Sequence, residues 1–297
     1  MIFWLKARAG LGNRLLALAA GLDYARRANR EIYVDWSDNT YSQDRINIFQ
    51  DIFEIRGIPC LTERPDYGIK SVYPACWRGH LDRSVVDLLQ ENPDIARQYD
   101  TSIEFDDAAR KEEITVGWSY DARWGTLSKY YPDTPRTRVL RAIFTKHLQL
   151  VPSVKRDVLS RIRDYGISDC VGVHYRQSDK KSSTPLVDML SLVPDDSPVF
   201  LCTDNKSVID HAIDILGPSR LRFFSKWMPD SFAQKPGESS LHQNKACPDR
   251  LVSLKEAILD MWCLASCKSL IRTDSSTFSY ISELVRVKRF DELVRLP

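Results

Sequence analysis

No stretch of this 297-residue sequence approaches the roughly 20 consecutive apolar residues that a membrane-spanning helix needs. The apolar start of the chain, Met1–Leu5, meets Lys6 too soon to resemble a signal peptide. We therefore expect a protein with no membrane span that is made and kept in the cytoplasm. These features leave peripheral association with a membrane open.

The sequence also lacks an excess of charge of either sign. It has 42 Lys and Arg against 40 Asp and Glu, a net charge of +2, with no dense basic run, which argues against a nucleic-acid partner. Its 7 cysteines are scattered, without a C-x-x-C pair or a Cys/His spacing typical of a metal site. Cys170, Cys202 and Cys263 lie in apolar runs, where we expect reduced thiols that pack as small hydrophobes.

Strand-like and helix-like segments alternate along both halves of the chain, which predicts parallel sheets rather than a β-sandwich or a helix bundle. The strongest boundary signal is Leu150-Val151-Pro152-Ser153, where apolar periodicity stops at a proline and Ser153 is predicted to cap the next helix. We predict an α/β fold with two Rossmann-like domains, 1–150 and 151–297, facing across a cleft. Residues 39–82 are predicted to be irregular. Ligands of such folds bind outside the carboxyl ends of the strands.

The segment Val171–Lys181 carries the clearest chemical signal, because an apolar strand runs directly into a histidine, an arginine, a carboxylate and lysines. Alternation places Gly172, His174 and Arg176 on one face of that strand. An arginine can grip two oxygens at once and a lysine adds a mobile point charge, so the expected ligand is a phosphate or pyrophosphate. A structural ion pair between Arg176 and Asp179 explains this segment equally well.

Two further segments join the end of a predicted strand to the start of a helix. Ala9–Arg14 contains glycines whose backbone amides are expected to face an anion or a polar substrate. It is not a dinucleotide fingerprint, because Leu15 stands in place of the third glycine, and a simple tight turn also explains its glycines. Thr203-Asp204-Asn205 places polar side chains beyond another buried strand, with helix capping by Asp204 or Asn205 as the alternative.

The last candidate features lie near the end of the chain. Arg272–Ser279 is a run of hydroxyls before a predicted helix, which suits phosphate oxygens as well as helix capping. Asp260 lies in an apolar helical run, where an isolated carboxylate is costly unless exposed or paired. Its neighbours one turn away, Glu256 and Leu264, offer no cation, whereas a base edge would supply donors to this carboxylate.

The order of these pieces resembles the superfamily of GDP-fucose-dependent fucosyltransferases. That superfamily includes the α-1,6-fucosyltransferases of eukaryotes, the rhizobial nodulation fucosyltransferase and the protein O-fucosyltransferases. The resemblance rests on Gly10-Leu11-Gly12-Asn13, on His174–Lys180 as an H-x-R-x-x-D-K motif, on Thr203-Asp204 and on Ser276–Ser279, and its best stretch runs from Asp260 to Thr277. It covers the whole C-terminal half and only the start of the N-terminal half.

This resemblance implies an inverting, metal-independent transferase of the glycosyltransferase-B type, which moves fucose from GDP-fucose to a glycan or glycolipid-type acceptor without a further cofactor. Arg176 would bind the β-phosphate and stabilise charge as GDP leaves, with Lys180 as a second cation. Asp260 would accept hydrogen bonds from the guanine N1–H and amino group. The other donor-site residues that it implies are His174, Asp179, Thr203, Asp204, Ser275, Ser276, Thr277 and Phe278. The acceptor-side residues, in the N-terminal domain, would be Gly10, Gly12, Asn13 and Arg14.

One position departs from the family pattern. In the α-1,6 enzymes a glutamate eight residues after the motif arginine is the proposed general base, and here that position is Thr184. Asp188, Asp179 and the departing diphosphate are the alternative proton acceptors. The departure keeps two other functions open, namely a transferase of the same fold that uses another nucleotide sugar, and a non-catalytic nucleotide-sugar or glycan-binding protein.

The acceptor itself is not identified by the sequence. Aromatic residues accumulate in the irregular N-terminal loops, where they would stack on sugar faces or fill the core. These residues are Trp36, Tyr41, Tyr67, Tyr73, Trp77, Trp118, Tyr120 and Trp124.

Overall fold

The chain forms two compact units, Met1–Val151 and Pro152–Pro297. The computed structural model describes residues 1–68, 70–91, 94, 102–105, 107–119, 135–177, 181–229, 246–273 and 276–286. Each unit contains a four-stranded sheet whose strands are all parallel, so the predicted α/β class is confirmed.

The first unit is built around one parallel sheet and one short antiparallel strand pair. Its strands are β1 (Ile2–Lys6), β2 (Glu31–Asp35), β3 (Phe53–Ile55), β4 (Val72–Tyr73), β5 (Ile114–Gly117) and β6 (Leu148–Leu150), and its helices are α1 (Leu11–Arg27), α2 (Val85–Glu91) and α3 (Pro135–His147). The parallel sheet has the order β2-β1-β5-β4, and β3 pairs antiparallel with β6. The prediction that residues 39–82 are irregular was wrong at β3 and β4, because strands this short show no readable alternation.

Many aromatic residues of the first unit are packed in its core. All of β1 is buried, and Trp4 and Trp77 are completely shielded from solvent in the same cluster. The Lys6 ammonium is also buried there, where it donates to Asp35 Oδ2 and to two backbone carbonyls, those of Leu81 and Arg83. With three acceptors for its three N–H groups, Lys6 is fully satisfied and has a structural role.

The second unit repeats the strand and helix alternation. Its strands are β7 (Val171–Tyr175), β8 (Val199–Thr203), β9 (Leu221–Arg222) and β10 (Ser269–Arg272), and its helices are α4 (Pro152–Asp164), α5 (Leu186–Leu190), α6 (Lys206–Leu216), α7 (Arg250–Ser266) and α8 (Thr277–Leu284). The sheet has the order β10-β7-β8-β9. The prediction of Ser153 as a helix cap was wrong. Helix α4 begins at Pro152, because the fixed φ of proline and its missing N–H suit the first position of a helix.

Strand β7 is buried on both faces. Val171, Val173 and Tyr175 face a core that α5 and α6 cover. On the other face, a Cβ added at Gly172 would lie 3.0 Å from Cys267 Sγ and 3.1 Å from Leu264 Cδ2. The glycine therefore allows the end of α7 to pack closely on the sheet, and the predicted alternation of β7 is confirmed.

A test of the packing in the first unit is Gly117→Ala in β5. A Cβ at this position would lie 2.6 Å from Phe3 Cε2 and 2.7 Å from Phe105 Cε1, so two buried rings must move. We expect the free energy of unfolding to fall by about 1–3 kcal/mol, the usual cost of overpacking a core. Urea unfolding followed by tryptophan fluorescence measures this loss.

The matched control is Gly68→Ala, where the nearest atom to the added Cβ is 3.7 Å away, an ordinary contact. This variant should unfold like the wild type. Equal stability of the two variants would show that the rings beside Gly117 adapt without cost.

Candidate functional site

One threonine joins the carboxyl ends of β10 and β7 in the second unit. The Thr273 amide and hydroxyl both donate to the His174 carbonyl, at 3.0 and 2.9 Å, which joins the end of β10 to β7. The Arg176 amide in turn donates to Thr273 Oγ1 at 3.2 Å. Thr273 therefore sets the backbone direction in which the chain leaves β7 toward Arg176.

Arg176, the predicted anion-binding arginine, directly follows the last residue of β7. Its side chain is 18% exposed, and its Nε lies 3.8 Å from Asp204 Oδ2, too far for a good hydrogen bond. The predicted phosphate residues Lys180 and Asp179, and with them the alternative pair of Arg176 with Asp179, lie outside the described residues. Asp204 is thus one ion-pair partner of Arg176 among the described residues.

Adjacent residues after β8 have separate tasks. Asn205 caps α6, because its side chain accepts from the Ser207 amide at 2.9 Å. Asp204 instead turns toward the neighbouring strand, and its Oδ1 accepts from the Gln177 amide at 2.8 Å. Thr203 is buried, and its hydroxyl accepts from the Asn205 amide at 3.3 Å. The capping alternative is therefore correct for Asn205, whereas Asp204 holds the loop that carries Arg176.

The start of α8 presents hydroxyl groups that no protein group satisfies in the described part of the chain. Ser276 occupies the N-cap position, yet its hydroxyl is buried and makes no cap bond or other hydrogen bond there. The Ser279 hydroxyl is likewise buried without a partner among the described residues. Thr277 begins the helix, and Ser275 lies outside the described residues. A helix N-terminus with an unsatisfied serine is suited to bind an anion.

His174 lies beneath this region as a neutral ring. It is buried and stacks on Phe278, with ring centroids 5.2 Å apart. Burial, helped by the charges of Arg176 and Lys226, lowers the pKa of His174 to about 3. Its Nδ1 has no hydrogen-bond partner among the described residues, so the ring keeps a polar atom available for a ligand.

Asp260 is buried and has a cationic partner that the sequence did not reveal. Lys226, in the segment after β9, donates a short hydrogen bond to Asp260 Oδ2. Burial disfavours the charged lysine, yet the Asp260 carboxylate outweighs this effect and raises the Lys226 pKa above its usual value. Asp260 has no cation one turn away on its own helix, as expected, but its partner comes from a distant segment of the chain. The one feature of the sequence that pointed to this pair is the position of Lys226 inside the largely apolar segment Phe223–Met228.

The other candidate groups are placed less favourably for chemistry. Thr184 is partly buried, and Asp188 lies exposed on α5. The cysteines are all free thiols, and burial raises the pKa of Cys170 to about 11.

The described residues contain no group of three or more His, Cys, Asp or Glu that could hold a metal ion. None of the described helices is long and apolar enough to cross a membrane.

In the first unit, the Gly10–Arg14 segment forms a separate polar cluster at the carboxyl edge of β1 and β2. Gly10 precedes α1 in an extended conformation, and the left-handed residue of the turn is Ala9, with φ 65°. The buried Arg14 guanidinium donates to the Ala9 carbonyl at 2.8 Å and to Asp38 Oδ2 at 2.7 Å. Asp38 has a pKa raised by burial, an effect that Arg14 partly offsets.

This cluster keeps unused hydrogen-bonding capacity. Among the described residues, Asn13 Oδ1, Arg14 Nη1 and Asp38 Oδ1 are buried without partners. Asn13 and Arg14 were predicted from the sequence, whereas Asp38 was not, because it lies in no recognisable motif. Four of the eight aromatic residues considered for the acceptor are core residues instead: Trp36, Tyr41, Trp77 and Trp118 are buried. Tyr67 and Tyr73 are partly exposed, and Tyr120 and Trp124 lie outside the described residues.

The chain is similar to one group of known enzymes. No family model matches the chain. It is 25% identical to Nodulation protein Z of Azorhizobium caulinodans, over 96% of this chain and 89% of that protein. The crystal structure of NodZ α-1,6-fucosyltransferase soaked with GDP-fucose matches with a TM-score of 0.62 at 20% identity, covering 95% of this chain and 92% of that one. POFUT1 in complex with GDP-fucose matches with a TM-score of 0.53 at 11% identity, covering 96% and 93%.

The fold is the one that α/β glycosyltransferases of the B type have. Within that class, the resemblance to the GDP-fucose-dependent fucosyltransferase superfamily that the motifs indicated is confirmed.

The neutral state of His174 gives a prediction for pH. The unfolded chain takes up a proton at this ring near pH 6.5, whereas burial and the neighbouring cations delay uptake in the folded chain until about pH 3. Between these values the unfolded state binds more protons, so His174 makes the fold less stable as the pH falls through this window. NMR titration of the His174 ring, assigned with a His174→Gln variant, should show no protonation near pH 6.5 in the folded protein. Ordinary titration there would contradict the buried, neutral placement.

Proposed function

We propose that this protein is an inverting, metal-independent fucosyltransferase that moves fucose from GDP-fucose to a hydroxyl group of a glycan or glycolipid-type acceptor. The observation that carries the proposal is the arrangement at the carboxyl edge of the second unit. There, Arg176, the unsatisfied start of α8 and the buried Asp260 lie around one sheet. The likeness to NodZ, whose crystals were soaked with GDP-fucose, supports this choice of donor.

The diphosphate is bound by cations and by a helix N-terminus in this proposal. Arg176 grips the β-phosphate, Lys180 adds a second positive charge, and Ser275, Ser276 and Thr277 supply hydroxyls and amides. The buried Ser276 hydroxyl has no partner among the described residues, so a phosphate oxygen would remove the cost of leaving it unsatisfied. Asp179 and His174 shape the pocket around these groups.

The base is recognised by a carboxylate. Asp260 accepts from the guanine N1–H and the 2-amino group, donors that adenine does not present at those positions. Because Asp260 is buried, a base that fails to donate would leave its oxygen unsatisfied, which gives discrimination. The stacked rings of His174 and Phe278 supply an apolar wall beside the donor.

Transfer is a single displacement at the anomeric carbon of fucose. The acceptor oxygen forms a bond to that carbon as the bond from the carbon to the β-phosphate oxygen breaks, and the electron pair of the broken bond stays with GDP. Arg176 contributes most in the transition state, because negative charge grows on the diphosphate as this bond breaks. Since Thr184 is not basic and Asp188 is exposed, we assign the acceptor proton to the departing diphosphate.

Acceptor binding belongs to the first unit in this proposal. Asn13 Oδ1 and Asp38 Oδ1 are buried acceptors and Arg14 Nη1 is a buried donor, none with a partner in the described part of the chain. Sugar hydroxyls both donate and accept, so they match this set. Cytoplasmic localisation remains a prediction from the sequence.

The donor assignment is tested by calorimetry with GDP, UDP, ADP and GDP-fucose. We expect GDP and GDP-fucose to bind more tightly than UDP and ADP, because only guanine among these bases presents two adjacent donors to Asp260. Transfer or slow hydrolysis of GDP-fucose should persist in EDTA. Preferred binding of another nucleotide would favour a transferase for a different sugar, and binding without turnover would favour a non-catalytic protein. A strict requirement for Mn²⁺ or Mg²⁺ would contradict metal independence.

The catalytic assignment is tested at Arg176. Because its benefit is concentrated in the transition state, Arg176→Ala should lower turnover on the order of 10²–10³-fold with a smaller effect on donor affinity. Arg176→Lys keeps the charge without the two-toothed grip and should be impaired less. Steady-state turnover and melting temperature are measured on the same preparations.

The control is Arg163→Ala, an exposed arginine of the second unit whose ion pair with Asp164 lies at the surface. It should retain normal turnover. If Arg176 serves only as the ion-pair partner of Asp204, Arg176→Ala will lose melting temperature while each folded molecule keeps its activity, and the catalytic assignment is then wrong.

A further inference from the structure

The Lys226 ammonium lies in the same part of the second unit as the predicted base-binding carboxylate. Its side chain is only 10% exposed and donates to Asp260 Oδ2, although the two residues lie 34 positions apart in the chain. Lys226 also lies close enough to His174 to help lower the pKa of that ring. His174 pairs with Cys202 across β7 and β8, and the thiol pKa of Cys202 is raised by burial and by the Asp260 charge.

This cluster contains more hydrogen-bonding capacity than it uses. An ammonium has three N–H groups, and within the described residues Lys226 makes one hydrogen bond, the one to Asp260. The buried His174 Nδ1 beside it also has no partner there. Neutralising Asp260 alone would leave a nearly buried ammonium with unused donors, which is costly. A ligand with an acceptor atom next to donor atoms would supply an acceptor for Lys226 and donors for Asp260.

Guanine has this pattern along one edge. Its O6 accepts a hydrogen bond, and the adjoining N1–H and 2-amino group donate. Adenine reverses the pattern at the first two positions, with a donating 6-amino group beside an accepting N1. An ammonium beside a carboxylate therefore complements guanine, whereas adenine would bring donor against donor and acceptor against acceptor.

We propose that Lys226 is a specificity-determining residue of the donor site, which donates to the guanine O6 while Asp260 accepts from the N1–H and the amino group. This inference rests on the proposed function, because it requires the base of a guanosine diphosphate at Asp260. It adds a second readout of guanine, made by a residue outside all the motifs that indicated the enzyme family.

The test combines a change in the ligand with a change in the protein. The ligands are GDP and 6-thio-GDP, which keeps the N1–H and the amino group but replaces O6 by sulfur, a much weaker acceptor. In calorimetry, the wild type should bind GDP at least about ten-fold more tightly than 6-thio-GDP, as expected for a hydrogen bond to a charged group. In Lys226→Met, the affinity for GDP should fall about ten-fold or more, and the preference for GDP should nearly vanish.

The control is Lys268→Met. Lys268 is an exposed lysine at the opposite, amino-terminal edge of the same sheet, just before β10, so its removal should leave both affinities unchanged.

A purely positioning role for Lys226 predicts a different result. If the lysine only orients Asp260, Lys226→Met weakens GDP and 6-thio-GDP equally and the preference between them stays at its wild-type value, which overturns the proposal. Should the variant fail to fold, the wild type decides: equal affinities for the two ligands exclude a contact to O6. Failure of the proposed function is distinct, since the wild type would then show no preference for GDP over UDP and ADP.

Discussion

The position of β7, hydrogen-bonded to β10 on one side and to β8 on the other, is the constraint on which the candidate donor site depends. Because neighbouring parallel strands end at the same edge of a sheet, residues distant in sequence meet there without a dedicated scaffold. Thr273 strengthens this arrangement by binding both the His174 carbonyl and the Arg176 amide. Because Gly172 has no side chain, the helix that carries Asp260 can lie close to the same strand. Strand order and one close helix contact together place the cation, the ring and the carboxylate.

The parts of this site that the sequence predicted are those with local signals. The buried strand predicted before Asp204 is present as Val199–Thr203, a short apolar run followed by polar residues. The family motifs also indicated His174, Arg176 and Asp260 directly. Whether these residues act on a donor stays a prediction, because their roles come from the resemblance.

What the sequence could not predict depends on contacts between distant segments. Lys226 pairs with Asp260 across 34 residues, and Asp38 meets Arg14 across 24, without any periodic relation in either case. The short strands β3 and β4 are defined by their partners rather than by their own composition. The choice between Asp204 and Asn205 as the helix cap likewise required coordinates, since either side chain is suited to that role.

The separate tasks of Asp204 and Asn205 have a mechanical consequence. Asn205 is bound to the first turn of α6, and the adjacent Asp204 is bound to the backbone of the Arg176 loop. These hydrogen bonds, made by two consecutive residues, connect the start of the helix directly to this loop. A displacement of the beginning of α6 would therefore be transmitted to the backbone beside Arg176, so the surface around Lys206 is mechanically connected to the edge where we propose that phosphate binds.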